Sequence, residues 1–309
     1  MNGAVAIAID VGGTKVAAGL VDQDGRLAHR RVQPATAGDG DAQVAAIRTV
    51  AEGLRRTAND EGHHVAAVGI GVPELVDRGG IIRGDDNFAW KGLDLAQALT
   101  LGLPTIIESD VRAAATAEAQ VGAGADFGYW LYVTIGTGVS GCLVTDGTPQ
   151  PGARGYAIHL ASSPIRMPGA AGDQAPRTLE QVASGTGVLA AAVATGADVR
   201  GAEDVIARAE AGDTTMTDVV TDAARAMGSG IALLVNATDP EAVVLGGGLG
   251  QAEGLYRDIL EQTLREDIVA DEAKDLPVRR AAAGADSGVI GAGLVALAAY
   301  TQIEEARER

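Results

Sequence analysis

Three glycine turns and one aspartate at a strand end are the parts of this sequence that could do chemistry. Asp10-Val11-Gly12-Gly13-Thr14-Lys15 lies between two apolar runs, residues 4–9 and 15–21, and reads as a tight hairpin. Glycines there let backbone N–H groups approach an anion, and the threonine hydroxyl adds a donor. The neighbouring aspartate suits Mg²⁺, directly or through water, because that ion takes oxygen ligands. A Walker A loop is a different object, needing G-x-x-x-x-G-K-[ST] ahead of a helix. Gly136-Thr137-Gly138 forms a second such turn. Gly246-Gly247-Gly248 is a third, directly after the apolar run 242–245, at the strand edge where α/β proteins bind ligands. Singly, each is equally well a plain turn. Jointly they point to a nucleotide cleft.

Asp110 follows Ile106-Ile107-Glu108-Ser109 and precedes an Ala-rich helical stretch, 111–121. As a helix N-cap it would be purely structural. As a carboxylate at a strand edge it could accept a hydroxyl proton while that oxygen attacks a γ-phosphate. On these residues alone both readings stand.

The elements that must position these groups alternate in type. Asp22-Gln23-Asp24-Gly25 is a hairpin signal. Val44, Ile47, Ala51, Leu54 and Ala58 recur at helical spacing, and 65–72 and 104–108 read as strands. The opening order then returns: strand 130–135, glycine turn, strand 141–144, and a turn at Asp146-Gly147. Two lobes on one plan would explain this, although two unrelated hairpins would also produce it. A helical stretch over 218–234 leads through Asp239-Pro240 to strand 242–245. Alternation of this kind predicts an α/β fold. No Pro/Ser linker parts the halves, so a hinge between packed lobes is expected.

Composition narrows the partners. The 309 residues carry a formal charge of −17, which opposes duplex DNA and anionic membranes as main partners. Aromatic residues are only 3%, so Ala, Val, Leu and Ile must build the core. Cys142 is the single cysteine, which leaves no intrachain disulfide and no cysteine-based zinc cluster. Residues 1–9 lack the features of a signal peptide, and runs such as 231–235 and 289–299 are too short or too rich in Gly and Ala to span a bilayer. A cytoplasmic protein is expected.

Taken in order, these motifs resemble the ROK family of the hexokinase–actin superfamily, nearly end to end. Asp10 to Lys15 is similar to the family's first phosphate motif and Thr134 to Gly141 to its second. Residues 239–248 resemble its adenosine motif, and Asp286-Ser287-Gly288-Val289-Ile290-Gly291-Ala292 its closing signature. Ser109-Asp110-Val111-Arg112-Ala113-Ala114 stands where the family has Asn-Asp-Ala-Asn-Ala-Ala. The resemblance implies a two-lobed actin-like (ribonuclease H-like) ATPase fold. The lobes are expected at 1–118 plus 289–309 and at 119–288.

It also implies ATP- and Mg²⁺-dependent phosphorylation of a primary hydroxyl, the 6-hydroxyl in hexoses, with Asp110 as base and Mg²⁺ near Asp10. Gly12, Gly13, Thr14, Lys15, Gly136, Thr137, Gly138, Gly246, Gly247 and Gly248 would hold the nucleotide. Asn87, in Asn87-Phe88-Ala89-Trp90, matches the family's sugar-binding asparagine, and Glu180 the glutamate that reaches toward the anomeric side. A homodimer is implied too. Repressor members carry a DNA-binding domain ahead of the first phosphate motif, which here begins near Met1, so a kinase that binds no nucleic acid and no membrane is expected.

Two segments depart from the family pattern. His159-Leu160-Ala161-Ser162 reads as Glu-x-Gly-His with Glu replaced by His and His by Ser. Residues 167–180 lack the three zinc-binding cysteines, so no structural zinc is expected. Ser109 replaces an asparagine facing the sugar. An acceptor differing from glucose near its anomeric side, such as an amino sugar or a C7 cyclitol, would fit these changes. His159 could be a sugar contact or a local hydrogen-bonder. A relative that only binds sugar, or a regulator, is the other reading.

Overall fold

The computed structural model describes residues 3–36, 38–157, 159–165 and 177–308. Two compact units divide the chain. Unit 1 holds Met1–Asp126, Val144–Ile158 and Ala282–Arg309, and unit 2 holds Phe127–Leu143 and His159–Ala281.

In unit 1 the chain runs β1 (Ala4–Val11), β2 (Lys15–Val21), β3 (Leu27–Pro34), α1 (Gly40–Asp60), β4 (His64–Val72), α2 (Leu95–Leu99), β5 (Thr105–Ser109) and α3 (Asp110–Val121). Its sheet has the order β3-β2-β1-β4-β5, antiparallel through β1–β2–β3 and parallel through β1–β4–β5. Continuous apolar runs in β1, β2 and β4 fit a sheet covered on both faces. One face buries Ile7, Ile9, Leu20, Ile47, Leu54, Ile70 and Leu95.

The second sheet comprises β6 (Tyr129–Ile135), β7 (Val139–Thr145), β8 (Thr148–Pro149), β11 (Ala242–Gly246) and β12 (Val278–Arg280), ordered β12-β11-β6-β7-β8. Between β8 and β11 lie β9 (Pro164–Ile165), β10 (Arg177–Thr178), α4 (Leu179–Ala183), α5 (Gly185–Ala194), α6 (Ala202–Glu210) and α7 (Thr214–Thr238). After β11 come α8 (Gly247–Gln251) and α9 (Leu255–Asp267), with α9 packed on α7. The sheet's parallel strands β6, β11 and β12 correspond to β1, β4 and β5, so the repeated turn pattern reflects a repeated strand order.

α10 (Ser287–Glu308) returns to unit 1 and packs on β1, β4 and α3. Residues Gly284–Glu308 are long and apolar enough to cross a membrane by length and composition alone, whereas 289–299 reads from sequence as too short or too rich in Gly and Ala to do so. Their apolar side is instead buried, with Val289, Leu294, Ala296 and Leu297 in the core. Contact here depends on missing side chains. A Cβ on Gly69 of β4 would overlap the Ala292 carbonyl, and one on Gly291 would overlap that of Ala113. Overpacking of this kind usually costs about 1–3 kcal/mol, and more where backbone must move. Gly291→Ala should therefore destabilise the protein by about 3 kcal/mol or more in urea unfolding, at the upper end of that range. Gly136→Ala, where nothing lies within 4 Å of a new Cβ, should stay near the unmodified value.

Candidate active site

Unit 1 gathers the acidic groups at the carboxyl ends of its parallel strands. Asp10 lies level with Gly71 in the β1–β4 ladder, and Gly71 with Glu108 in the β4–β5 ladder. Asp110 is the residue after β5. This is the sheet edge at which open α/β folds bind ligands. A Cβ on Gly71 would sit 3.4 Å from Asp10 Oδ1 and 3.7 Å from the Asp110 Cα. A Cβ on Gly288, in the first turn of α10, would sit 2.6 Å from the Asp10 carboxyl carbon. Two glycines thus bring main chain close to the Asp10 carboxylate.

Burial works against ionisation here. It raises the Asp10 pKa to about 6, with Lys15 opposing the shift and Asp286 adding to it. It raises that of Asp110 to about 7, reinforced by the charges of Asp10 and Glu74 and opposed by the Val111 N–H and Arg112. Two neighbouring half-buried carboxylates suit a divalent cation beside Asp10. Among the described residues no three His, Cys, Asp or Glu side chains form a metal cage.

The structure decides the capping question at the β5–α3 junction. Ser109 is the N-cap, its Oγ accepting from the Arg112 N–H at 3.4 Å, and Asp110 is the first helical residue. Asp110 Oδ1 accepts from the Val111 N–H at 2.7 Å. Ser109, read as facing the acceptor, is fully buried, with its hydroxyl turned to the helix backbone. Asn87 is exposed and donates from Nδ2 to the Pro73 carbonyl at 3.3 Å. Its Oδ1 lies 3.0 Å from where a Gly13 Cβ would stand, so the first glycine turn and Asn87 are neighbours. That turn is closed by the Gly12 N–H on the Lys15 carbonyl at 2.8 Å, leaving Gly13, Thr14 and Lys15 exposed.

Unit 2 joins the other two glycine elements. Gly136 N–H donates to the Gly138 carbonyl at 2.9 Å, and Thr186 Oγ1 to the Thr137 carbonyl at 2.8 Å. Gly247 has φ of 76°, and a Cβ there would lie 2.6 Å from the Ile135 carbonyl carbon, so only glycine lets β11 turn beside this hairpin. Gly248 has open space around it. Glu180 Oε2 accepts from the Val139 N–H at 2.8 Å, which ties this carboxylate to the hairpin. His159 Nδ1 pairs with Ser162 Oγ at 3.0 Å, the local hydrogen bond that was one of its two readings. The cysteine-free segment falls mainly on 167–176, outside the described residues.

Sequence reasoning did not single out Gly71, Glu74, Arg112 or Thr186. Only Arg112, standing where an asparagine is expected, left a trace.

The model of the ROK family matches residues 6–299. The chain belongs to the ROK family. A glucokinase of Halalkalibacterium halodurans is 29% identical over 98% of this chain and 98% of its own. An N-acetylmannosamine kinase of Citrobacter koseri is 33% identical over 94% of this chain and 98% of its own. The ROK glucokinase of Streptomyces griseus, crystallised with glucose and AMPPNP, superposes with a TM-score of 0.78 at 29% identity, covering 95% of this chain and 99% of that one. The fold is therefore the actin-like ATPase α/β fold of ROK hexokinases.

The raised Asp110 pKa carries a stability consequence. Its folded value of about 7 exceeds the ordinary value, so the folded state binds the proton more tightly. Stability from this group is present at low pH and is lost as pH rises toward 7. Asp110→Asn should raise the melting temperature of ligand-free protein at pH 8, by an increment that shrinks toward pH 4. Equal increments at both pH values would contradict a buried charge at this position.

Proposed function

We propose that the protein is an ATP-dependent sugar kinase. It transfers the γ-phosphoryl group to the primary, 6-position hydroxyl of a hexose or hexose-like polyol. The observation that carries this reading is Asp110: a half-buried carboxylate at a strand's carboxyl end, with a pKa raised to about 7, grouped with Asp10 and the first glycine turn. Above that pH it is ionised and accepts the hydroxyl proton as the oxygen bonds to the γ-phosphorus and the bond to the ADP oxygen breaks.

Asn87 orients the acceptor's ring hydroxyls. Ser109 holds the first turn of α3 and so the base, while Glu180 and His159 serve the acceptor's anomeric side. Gly12, Gly13, Thr14, Lys15, Gly136, Thr137 and Gly138 offer phosphate contacts, and Gly246–Gly248 the nucleoside contact. Mg²⁺, held near Asp10 through oxygen ligands, neutralises phosphate charge. The glucose and AMPPNP named for the Streptomyces griseus relative, and the names of the two curated kinases, support this choice of substrates. The reading carries with it a cytoplasmic homodimer acting on small molecules. The altered segment at His159 favours, as a second reading of the acceptor, an amino sugar or C7 cyclitol.

The test is ADP release from Mg-ATP across glucose, mannose, glucosamine, N-acetylmannosamine and C7 cyclitols. At least one should be turned over, with kcat/KM falling as pH drops below about 7. Asp110→Asn should lower kcat by about 10³-fold, within the range for loss of a general base. Sugar binding in calorimetry without turnover by the unmodified protein would make it a binder, and retention on DNA would make it a regulator.

A further inference from the structure

Glu74 lies immediately after β4 and Pro73 and is 2% exposed. A buried carboxylate needs donors for both oxygens, and this one finds them in two consecutive backbone N–H groups. Oε1 accepts from the Asn87 N–H at 2.8 Å and Oε2 from the Asp86 N–H at 3.2 Å. Gly84, earlier in the same loop, has no room for a Cβ because Glu74 Oε2 occupies the place. The loop from Pro73 to Asn87 is thus closed from inside by one side chain. Its start is held separately, by Arg112, which is buried and donates to the Val76 carbonyl at 3.3 Å and the Gly155 carbonyl at 2.7 Å.

We infer that Glu74 is a positioning residue for the acceptor: by clamping the backbone of Asp86 and Asn87 it fixes where the Asn87 carboxamide stands beside the first glycine turn. This rests on the reading of Asn87 as an acceptor contact. Only a two-oxygen acceptor of this length satisfies both N–H groups. Glutamine would set its NH₂ against one of them, and aspartate falls one methylene short. Asn87 itself is exposed, so the clamp is the device that removes its backbone freedom before an acceptor arrives.

The experiment combines amide hydrogen exchange with kinetics on the full chain. In Glu74→Ala and Glu74→Gln, exchange in a peptide covering 84–90 should rise by about tenfold or more, the Gln variant less than the Ala, while β1 and β4 stay protected. Unchanged exchange in that peptide overturns the inference whatever the kinetics show. With D-glucose or N-acetylmannosamine, whichever is turned over, Glu74→Ala should raise the acceptor KM by about tenfold with ATP KM and kcat within about threefold. The double variant with Asn87→Ala should be no worse than Asn87→Ala alone, because both changes remove one interaction. Additive losses, or equal rises in both KM values, mean that Glu74 acts on overall folding and refute the positioning role. If Asn87→Ala leaves the acceptor KM unchanged while exchange rises in the Glu74 variants, the acceptor-site reading fails and the clamp stands as loop structure only.

Discussion

The chemistry proposed for unit 1 depends on holding two half-buried carboxylates, Asp10 and Asp110, at adjoining strand ends. Loss of water opposes the ionisation of both, with the charge of Asp10 adding to it at Asp110 and that of Asp286 adding to it at Asp10. Gly71 and Gly288 bring main chain to within contact of the Asp10 carboxylate. The β1–β4–β5 ladder then sets the spacing, since Asp10, Gly71 and Glu108 stand level across three strands. A disfavoured charge is what a cation or a proton donor relieves, which is why this pair is the proposed place for both.

The unit 2 elements meet a different demand. As proposed phosphate contacts they must bring main-chain N–H groups close to an anion, and close approach favours glycine. Gly247 shows how tightly this is built: it turns with positive φ against the Ile135 backbone, so β11 and the 136–138 hairpin support each other. Glu180 and Thr186 add side-chain bonds to that hairpin, one to the Val139 N–H and one to the Thr137 carbonyl.

Much of this was legible in the residues. Glycine turns after apolar runs, the Asp-Gly hairpins, and the repeated order of elements are short-range signals, and the strands and helices fall where those signals put them. Family correspondence sets Ser109 toward the sugar and leaves Asp110 as cap or base; deciding which of them caps needs the backbone angles, which place Ser109 in the extended region and Asp110 inside the helix. Glu74 and Gly71 were invisible for another reason. Their partners lie across the sheet or many residues along a loop, and no period or motif encodes such a pairing. Arg112 could have been found, since a long cation in an Ala-rich helix beside a strand end asks for buried carbonyls, and it has two.

The seating of α10 bears on how the chain acquires its structure. Ala6, Ala66 and Ala67 on β1 and β4 are sealed by Ala296 and Leu297, more than 200 positions further along the chain, by subtraction of these residue numbers. Until that helix docks, the first sheet shows a small-residue apolar face to water, and Gly69 has no carbonyl against it. Closing so distant a contact is entropically slow and leaves an adhesive surface during synthesis. Unit 2, drawn almost wholly from residues in between, can complete its core beforehand, so the half that holds the proposed base is the last to become whole.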